Sequence, residues 1–233
     1  MIAVTFDFGQ TLAELDVDML ARRVAERGAR LSPDRARAAS PAAWEAYGEA
    51  KRSGLVAHDA WCTFMRTLLE LSGVEAEGIE PQLVAAELAE WLWTEQPAQN
   101  LWRKPIAGMF ELLVELTQAG VPLGVVSNSE GKLSELCSEL GIRHHFAAFA
   151  DSGVVGFEKP DPRIFELVAR GLGAAPEDLV HVGDAWDADV IGALGFGARA
   201  IWFAPTDDRE LPDRVATARD AADVRRVLAE WGI

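Results

Sequence analysis

The run Ile2-Ala3-Val4-Thr5-Phe6-Asp7-Phe8-Gly9-Gln10-Thr11-Leu12 decides how the rest of the chain is read. Ile2 to Phe6 is a short, nearly continuous apolar segment, as expected of a strand buried on both faces of a parallel sheet. An acid, Asp7, follows at once, and Gly9 opens a loop. No basic region precedes the apolar run, so it reads as a strand and not as a signal peptide.

Beyond this loop the texture changes. From about Asp16 to Gln99 only helix-like periodicity is visible, broken at Gly28, Ser32-Pro33, Ser53-Gly54, Ser72-Gly73 and Gly78. Four helices of ordinary length fit this region, one opened by Ser32-Pro33-Asp34 as N-cap, first-turn proline and first-turn acid. From Pro105 strands and helices alternate. Strands are expected at Val121–Val126, Phe146–Ala150, Asp178–Val182 and Ala198–Phe203. Helices are expected at Ala107–Gln118, Glu130–Leu140, Asp161–Gly171, Asp187–Leu194 and Asp220–Trp231. That alternation implies a parallel sheet with right-handed crossovers. The expected domains are therefore an α/β core of residues 1–14 and 100–233 and an all-helical insertion of residues 15–99.

Composition sets bounds on function. The 233 residues are 49% hydrophobic and 25% charged, as in an ordinary globular protein. The net charge of −15 and pI near 4.7 argue against a nucleic-acid footprint and against docking on an anionic membrane. No stretch approaches the ~18 apolar residues of a transmembrane helix. Cys62 and Cys137 lie far apart in apolar segments, so neither a disulfide framework nor a zinc cluster is indicated. The expected setting is cytoplasmic.

In an open parallel sheet, ligands bind outside the carboxyl ends of the strands. The residues there are Asp7, Ser127-Asn128, Asp151 and Gly183-Asp184, with Lys159 ahead of a helix in Glu158-Lys159-Pro160-Asp161. Each alone has an ordinary structural reading as a turn residue, a cap or a solvated charge. Their succession at strand end after strand end does not.

These motifs resemble those of the haloacid dehalogenase-like hydrolase superfamily, in the group with a helical cap inserted after the first motif. The first motif is matched by Asp7-Phe8-Gly9-Gln10-Thr11-Leu12 and the second by Val125-Val126-Ser127-Asn128-Ser129. The third is matched by Lys159-Pro160-Asp161, and the fourth by Gly183-Asp184-Ala185-Trp186-Asp187-Ala188-Asp189. The resemblance implies a Rossmann-like parallel sheet core with an inserted all-α helical cap. It also implies a phosphohydrolase acting on a small phosphorylated, anionic substrate, as a monomer or homodimer. Asp7 would be the nucleophile, forming an aspartyl-phosphate. Asp7, the Gly9 carbonyl and Asp184 would ligate Mg²⁺. Ser127 and the amides around Asn128 would hold phosphoryl oxygens at a helix N-terminus, with Lys159 as the point cation. Asp187 or Asp189 would orient metal-bound water, or else serve as an ordinary helix N-terminal acid.

One position departs from the family's phosphatases. They carry a second Asp two residues after the nucleophile, to protonate the leaving group and then activate water; here that position is Gly9. The 2-haloacid dehalogenases and the phosphonatases also lack it, and a non-catalytic module that binds phosphate and Mg²⁺ would not need it. Charge counting favours phosphoryl chemistry, because Asp7, Asp184 and a further acid face Lys159 alone, and a divalent cation relieves that repulsion. A phosphonatase would need a cap lysine, and Lys51 is the only lysine between Asp7 and Trp102. Substitute bases could come from Glu14, Asp16, His58 or Asp59. Substrate selection would fall to the insertion, whose Trp44, Tyr47, Trp61, Phe64, Trp91 and Trp93 read mainly as core. Its cations Arg22, Arg23, Lys51, Arg52 and Arg66 could meet an anionic substrate.

Overall fold

The computed structural model describes residues 2–55 and 57–233. It divides into two compact units, one formed by Met1–Leu15 with Trp102–Ile233, the other by Asp16–Leu101.

The first unit is built on a six-stranded sheet. Its strands are β1 (Ala3–Phe6), β2 (Leu123–Ser127), β3 (Ala148–Asp151), β4 (Leu179–Gly183), β5 (Arg199–Phe203) and β6 (Val215–Ala218). Every pairing is parallel and the order is β6-β5-β4-β1-β2-β3. β1, β2 and β4 are buried at every residue, which is why they read as unbroken apolar runs. The strand order reverses direction between β1 and β4, and the crevice at such a switch point is where doubly wound sheets bind ligands. Asp7 directly follows β1 and Asp184 directly follows β4, so the two acids flank that crevice.

One face of the sheet is covered by the helix Pro162–Leu172. Its Ile164, Phe165 and Val168 are fully buried in a cluster with Val126, Val190 and Trp202. Asp161 caps this helix, accepting from the Arg163 amide at 3.0 Å.

Several features of the first unit differ from the sequence expectation. β6 was not anticipated, because Val-Ala-Thr-Ala is short and only its last residue is buried. The chain leaves and re-enters the first unit through an antiparallel pair, Ala13–Leu15 with Trp102–Pro105, where no strand was expected. The helix expected at Asp187–Leu194 is two pieces: a wide π-helical segment, Trp186–Ile191, followed by Gly192–Phe196.

The second unit holds four helices: α1 (Val17–Glu26), α2 (Pro33–Arg52), α3 (Ala57–Leu71) and α4 (Pro81–Glu95). Ser32 caps α2 with Pro33 in the first turn, as its sequence requires. A two-residue antiparallel pair, Ala29–Arg30 with Glu75–Ala76, adds strand where none was expected. The aromatic residues pack inward: Phe64 and Trp61 are buried, Trp44 lies 4.3 Å from Phe64, and Trp61 lies 5.5 Å from Trp93.

Candidate active site

β1 delivers Asp7 to the sheet edge, and its amide donates to Val182 of β4 at 2.8 Å. From the loop before the helix Pro162–Leu172, Lys159 Nζ donates to Asp7 Oδ1 at 2.6 Å and to Asp189 Oδ1 at 2.5 Å. All three side chains are buried; Lys159 is 4% exposed and Asp189 1%. Ser127, at the end of β2, lies beside Asp7 and favours its charged form. Asn128 fixes the lysine loop from both sides, since Oδ1 accepts from the Lys159 amide at 2.8 Å and Nδ2 donates to the Lys159 carbonyl at 3.1 Å. Its side chain is thus spent on placing Lys159.

Asp189 is held on every side. Oδ2 accepts the Ala185 amide at 2.9 Å, and Oδ1 also faces His181 Nε2 at 3.0 Å. His181, fully buried in β4, has its Nδ1 3.0 Å from Thr5 Oγ1 of β1. Burial keeps this imidazole neutral, below its ordinary pKa, despite the Asp189 carboxylate. A neutral ring satisfies both contacts by donating from Nε2–H to Asp189 and accepting the Thr5 hydroxyl at Nδ1. The close approach of β4 to Asp189 needs a glycine, since a Cβ at Gly183 would lie 2.2 Å from Asp189 Cγ.

Asp184 sits on the other side of the crevice. The Trp202 indole donates to its carbonyl at 2.8 Å, and Thr11 Oγ1 lies 3.5 Å from its Oδ1. Carboxylate oxygens of Asp7, Asp184 and Asp189 all lie within 4.8 Å of one another. Burial, then Asp189 and Asp7, pushes Asp184 well above the usual carboxylate range. Burial likewise raises Asp7, with Lys159 opposing. Asp189 goes the other way: burial disfavours its charge, but Lys159 and His181 outweigh it and hold it below the usual range. Lys159 is kept charged by Asp189 and Asp7 against its burial. Three carboxylates thus face one ammonium, and an oxygen-ligated divalent cation is the group that this donor set fits.

Not every expected residue joins the cluster. Asp187 is exposed, with Arg209 as its charged neighbour, so of the two acids only Asp189 reaches Lys159. The helix expected at Glu130–Leu140, whose N-terminal amides around Asn128 were to hold phosphoryl oxygens, begins at Leu133, and the Gly131 and Leu133 amides donate to Asp151 at 3.0 Å each. Those donors are therefore occupied, and Asp151 shapes the loop. Of the substitute bases, Glu14 pairs with Lys104 at 2.7 Å and Asp16 caps α1 through the Met19 amide at 2.8 Å. Arg23, among the insertion's cations, pairs with Glu95 and stacks on Trp91. His181 was missed by the sequence reading, because a lone His in Leu179-Val180-His181-Val182 carries no signal beyond a core strand.

Comparison with known proteins agrees with the fold. A family profile described as haloacid dehalogenase-like hydrolase matches residues 2–197. The chain is 36% identical over 173 residues to a phosphoserine phosphatase of Thermus thermophilus, covering 72% of this chain and 68% of that protein. It is 34% identical over 161 residues to a glyceraldehyde 3-phosphate phosphatase of Methanopyrus kandleri, covering 65% of this chain and 67% of that one. Among solved structures, the HAD-hydrolase YfnB of Bacillus subtilis, crystallised bound to magnesium, superposes with a TM-score of 0.70. At 21% identity over 97% of this chain and 98% of that one, the likeness speaks for the fold.

Proposed function

The chain belongs to the haloacid dehalogenase-like hydrolases, and on that footing we propose that it is a Mg²⁺-dependent phosphatase of small phosphorylated molecules, with Asp7 as the nucleophile. The observation that carries this reading is the placement of Asp7 between the Lys159 ammonium, at 2.6 Å, and a second carboxylate, Asp184. The phosphatase names of its relatives support it as well. A dehalogenase needs no cation and gains nothing from Asp184 beside Asp7.

An Asp7 oxygen attacks phosphorus while the bond from phosphorus to the substrate oxygen breaks, its electron pair leaving with that oxygen. Water then attacks the same phosphorus, breaks the bond to Asp7 and releases inorganic phosphate. Lys159 holds the Asp7 carboxylate in line and faces the phosphoryl charge, while Asp189 and His181 fix Lys159. Ser127 orients Asp7. Asp7, Asp184 and the Gly9 carbonyl would hold Mg²⁺, which when bound supplies positive charge against the phosphoryl oxygens. Substrate selection falls to the helical unit, residues 16–101, since the core contacts only the phosphoryl group.

Gly9 shapes the substrate preference. It carries no proton, and general acid–base catalysis typically contributes about 10²–10⁴-fold. Positioning and electrostatics remain and carry most of phosphoryl transfer. The enzyme therefore favours acyl and aryl phosphates, whose leaving groups need little protonation. A phosphate-release panel, with and without Mg²⁺, on wild type and Asp7→Asn, tests the reading. Release that requires Mg²⁺ and Asp7 and is faster for aryl than alkyl phosphates supports it. Halide release from haloacids unaffected by EDTA contradicts it. A Cβ at Gly9 would meet only Trp102, at 3.4 Å, so Gly9→Asp is sterically tolerable and should raise alkyl-phosphate turnover.

A further inference from the structure

The helical unit carries a second group of metal-ligating side chains. His58 and Cys62, four apart on α3, share one face of that helix. Glu90 reaches them from α4, which packs on α3. His58 Nε2 lies 3.0 Å from Glu90 Oε2 and 3.5 Å from Cys62 Sγ, and donor atoms of all three fall within 4.8 Å of one another.

We propose that His58, Cys62 and Glu90 form a zinc-type metal site that clips α3 to α4. Three independent features carry it. The first is spacing. A tetrahedral ion with bonds of about 2.3 Å to sulfur and about 2.0 Å to nitrogen and oxygen has edges of about 3.5 Å between S and N and about 3.3 Å between N and O. The side chains already stand at 3.5 and 3.0 Å. The second is the outer partner of the histidine. Asp59 Oδ1 lies 2.9 Å from His58 Nδ1, the carboxylate–histidine pairing that leaves the Nε2 lone pair for a metal. Trp93 packs edge-on against the imidazole, with ring centroids 5.3 Å apart, and limits its rotation. The third is donor chemistry. Thiolate, imidazole and carboxylate together select a borderline ion such as Zn²⁺ over Mg²⁺, which prefers oxygen alone.

Binding forms bonds from the metal to Sγ, Nε2 and a Glu90 oxygen; the Cys62 thiol proton and the Nε2 proton that His58 shares with Glu90 both pass to solvent, with no oxidation. The side chains of His58 and Glu90 are 38% and 62% exposed, so an ion enters directly from water, which fills the fourth position.

Co²⁺ is the probe, added to the full chain in excess Mg²⁺ so that the acidic cluster of the first unit is filled. The site predicts a thiolate-to-cobalt charge-transfer band saturating at one equivalent and bleached by Zn²⁺. Cys62→Ser abolishes the band, whereas Cys137→Ser and Asp184→Asn retain it. Asp59→Asn, which leaves all three ligands in place, weakens binding about 10–100-fold. No band in the wild type, or a band that survives Cys62→Ser, overturns the proposal. Neither readout depends on hydrolysis, so the outcome is independent of the phosphatase reading.

Discussion

Asp189 organises the acidic crevice from behind. Its two oxygens take up Lys159, His181 and the Ala185 amide, so the lysine that faces Asp7 is held by a carboxylate which is itself fully committed. Asp189→Asn removes the charge and sets an amide against a buried ammonium. Breaking such a buried pair costs about 3–5 kcal/mol. Lys159 keeps Asp7 as a partner, so about 3 kcal/mol is expected from urea denaturation in EDTA; a loss below about 1 kcal/mol would deny the network its role. Glu130 behaves differently. Burial pushes its carboxyl from 4.5 up to about 7. Since the folded-state pKa is the higher one, its contribution to stability is fully present below about pH 4.5 and is lost as pH rises through about 7. Comparing the urea midpoints of wild type and Glu130→Gln across that window should show the wild type losing stability faster; parallel curves would contradict the assignment. Asp7, Ser127, Lys159 and Asp184 could be picked out in the sequence because each directly follows an apolar strand or precedes a helix. The choice between Asp187 and Asp189 was not, because residues two apart on a helical turn point to different sides.

At the scale of elements, the crevice depends on how closely β4 and the π-helical segment Trp186–Ile191 approach each other. The Ala185 carbonyl accepts the Asp189 amide at 2.8 Å, and the Val190 amide also reaches it, at 3.4 Å. This wide turn carries Asp189 back over Gly183. Gly183→Ala would drive a methyl into Asp189 Cγ and displace Lys159 with it, without altering any ionisable group. Turnover should fall at least 10²-fold with Mg²⁺ affinity less affected, since Asp7 and Asp184 remain; unchanged turnover would show that the close approach is not required. Neither the π segment nor β6 could be read beforehand. Apolar periodicity points to an ordinary helix at the first, and a four-residue strand buried only at Ala218 gives no alternation at the second.

The molecule as a whole sets acidic surface against buried, paired charge. A net charge of −15 repels anions at long range, and the only buried side-chain cation among the described residues is Lys159. A phosphorylated substrate therefore gains most where a divalent cation and this lysine stand together, and turnover should rise with ionic strength at subsaturating substrate. The alternation of strands and helices made the α/β core readable, and the periodic stretch between the first two motifs made the four helices readable. The His58–Cys62–Glu90 group was not, because its members lie on two helices, 32 positions apart, and only folding brings them together. The central claim is that phosphorus becomes bonded to Asp7 during turnover. Acid quenching of wild type during turnover of a phosphorus-labelled aryl phosphate with Mg²⁺ measures this directly. The account predicts acid-stable, hydroxylamine-labile label on the peptide containing Asp7 and none on Asp7→Asn; turnover without protein-bound label, or equal label on Asp7→Asn, would contradict it.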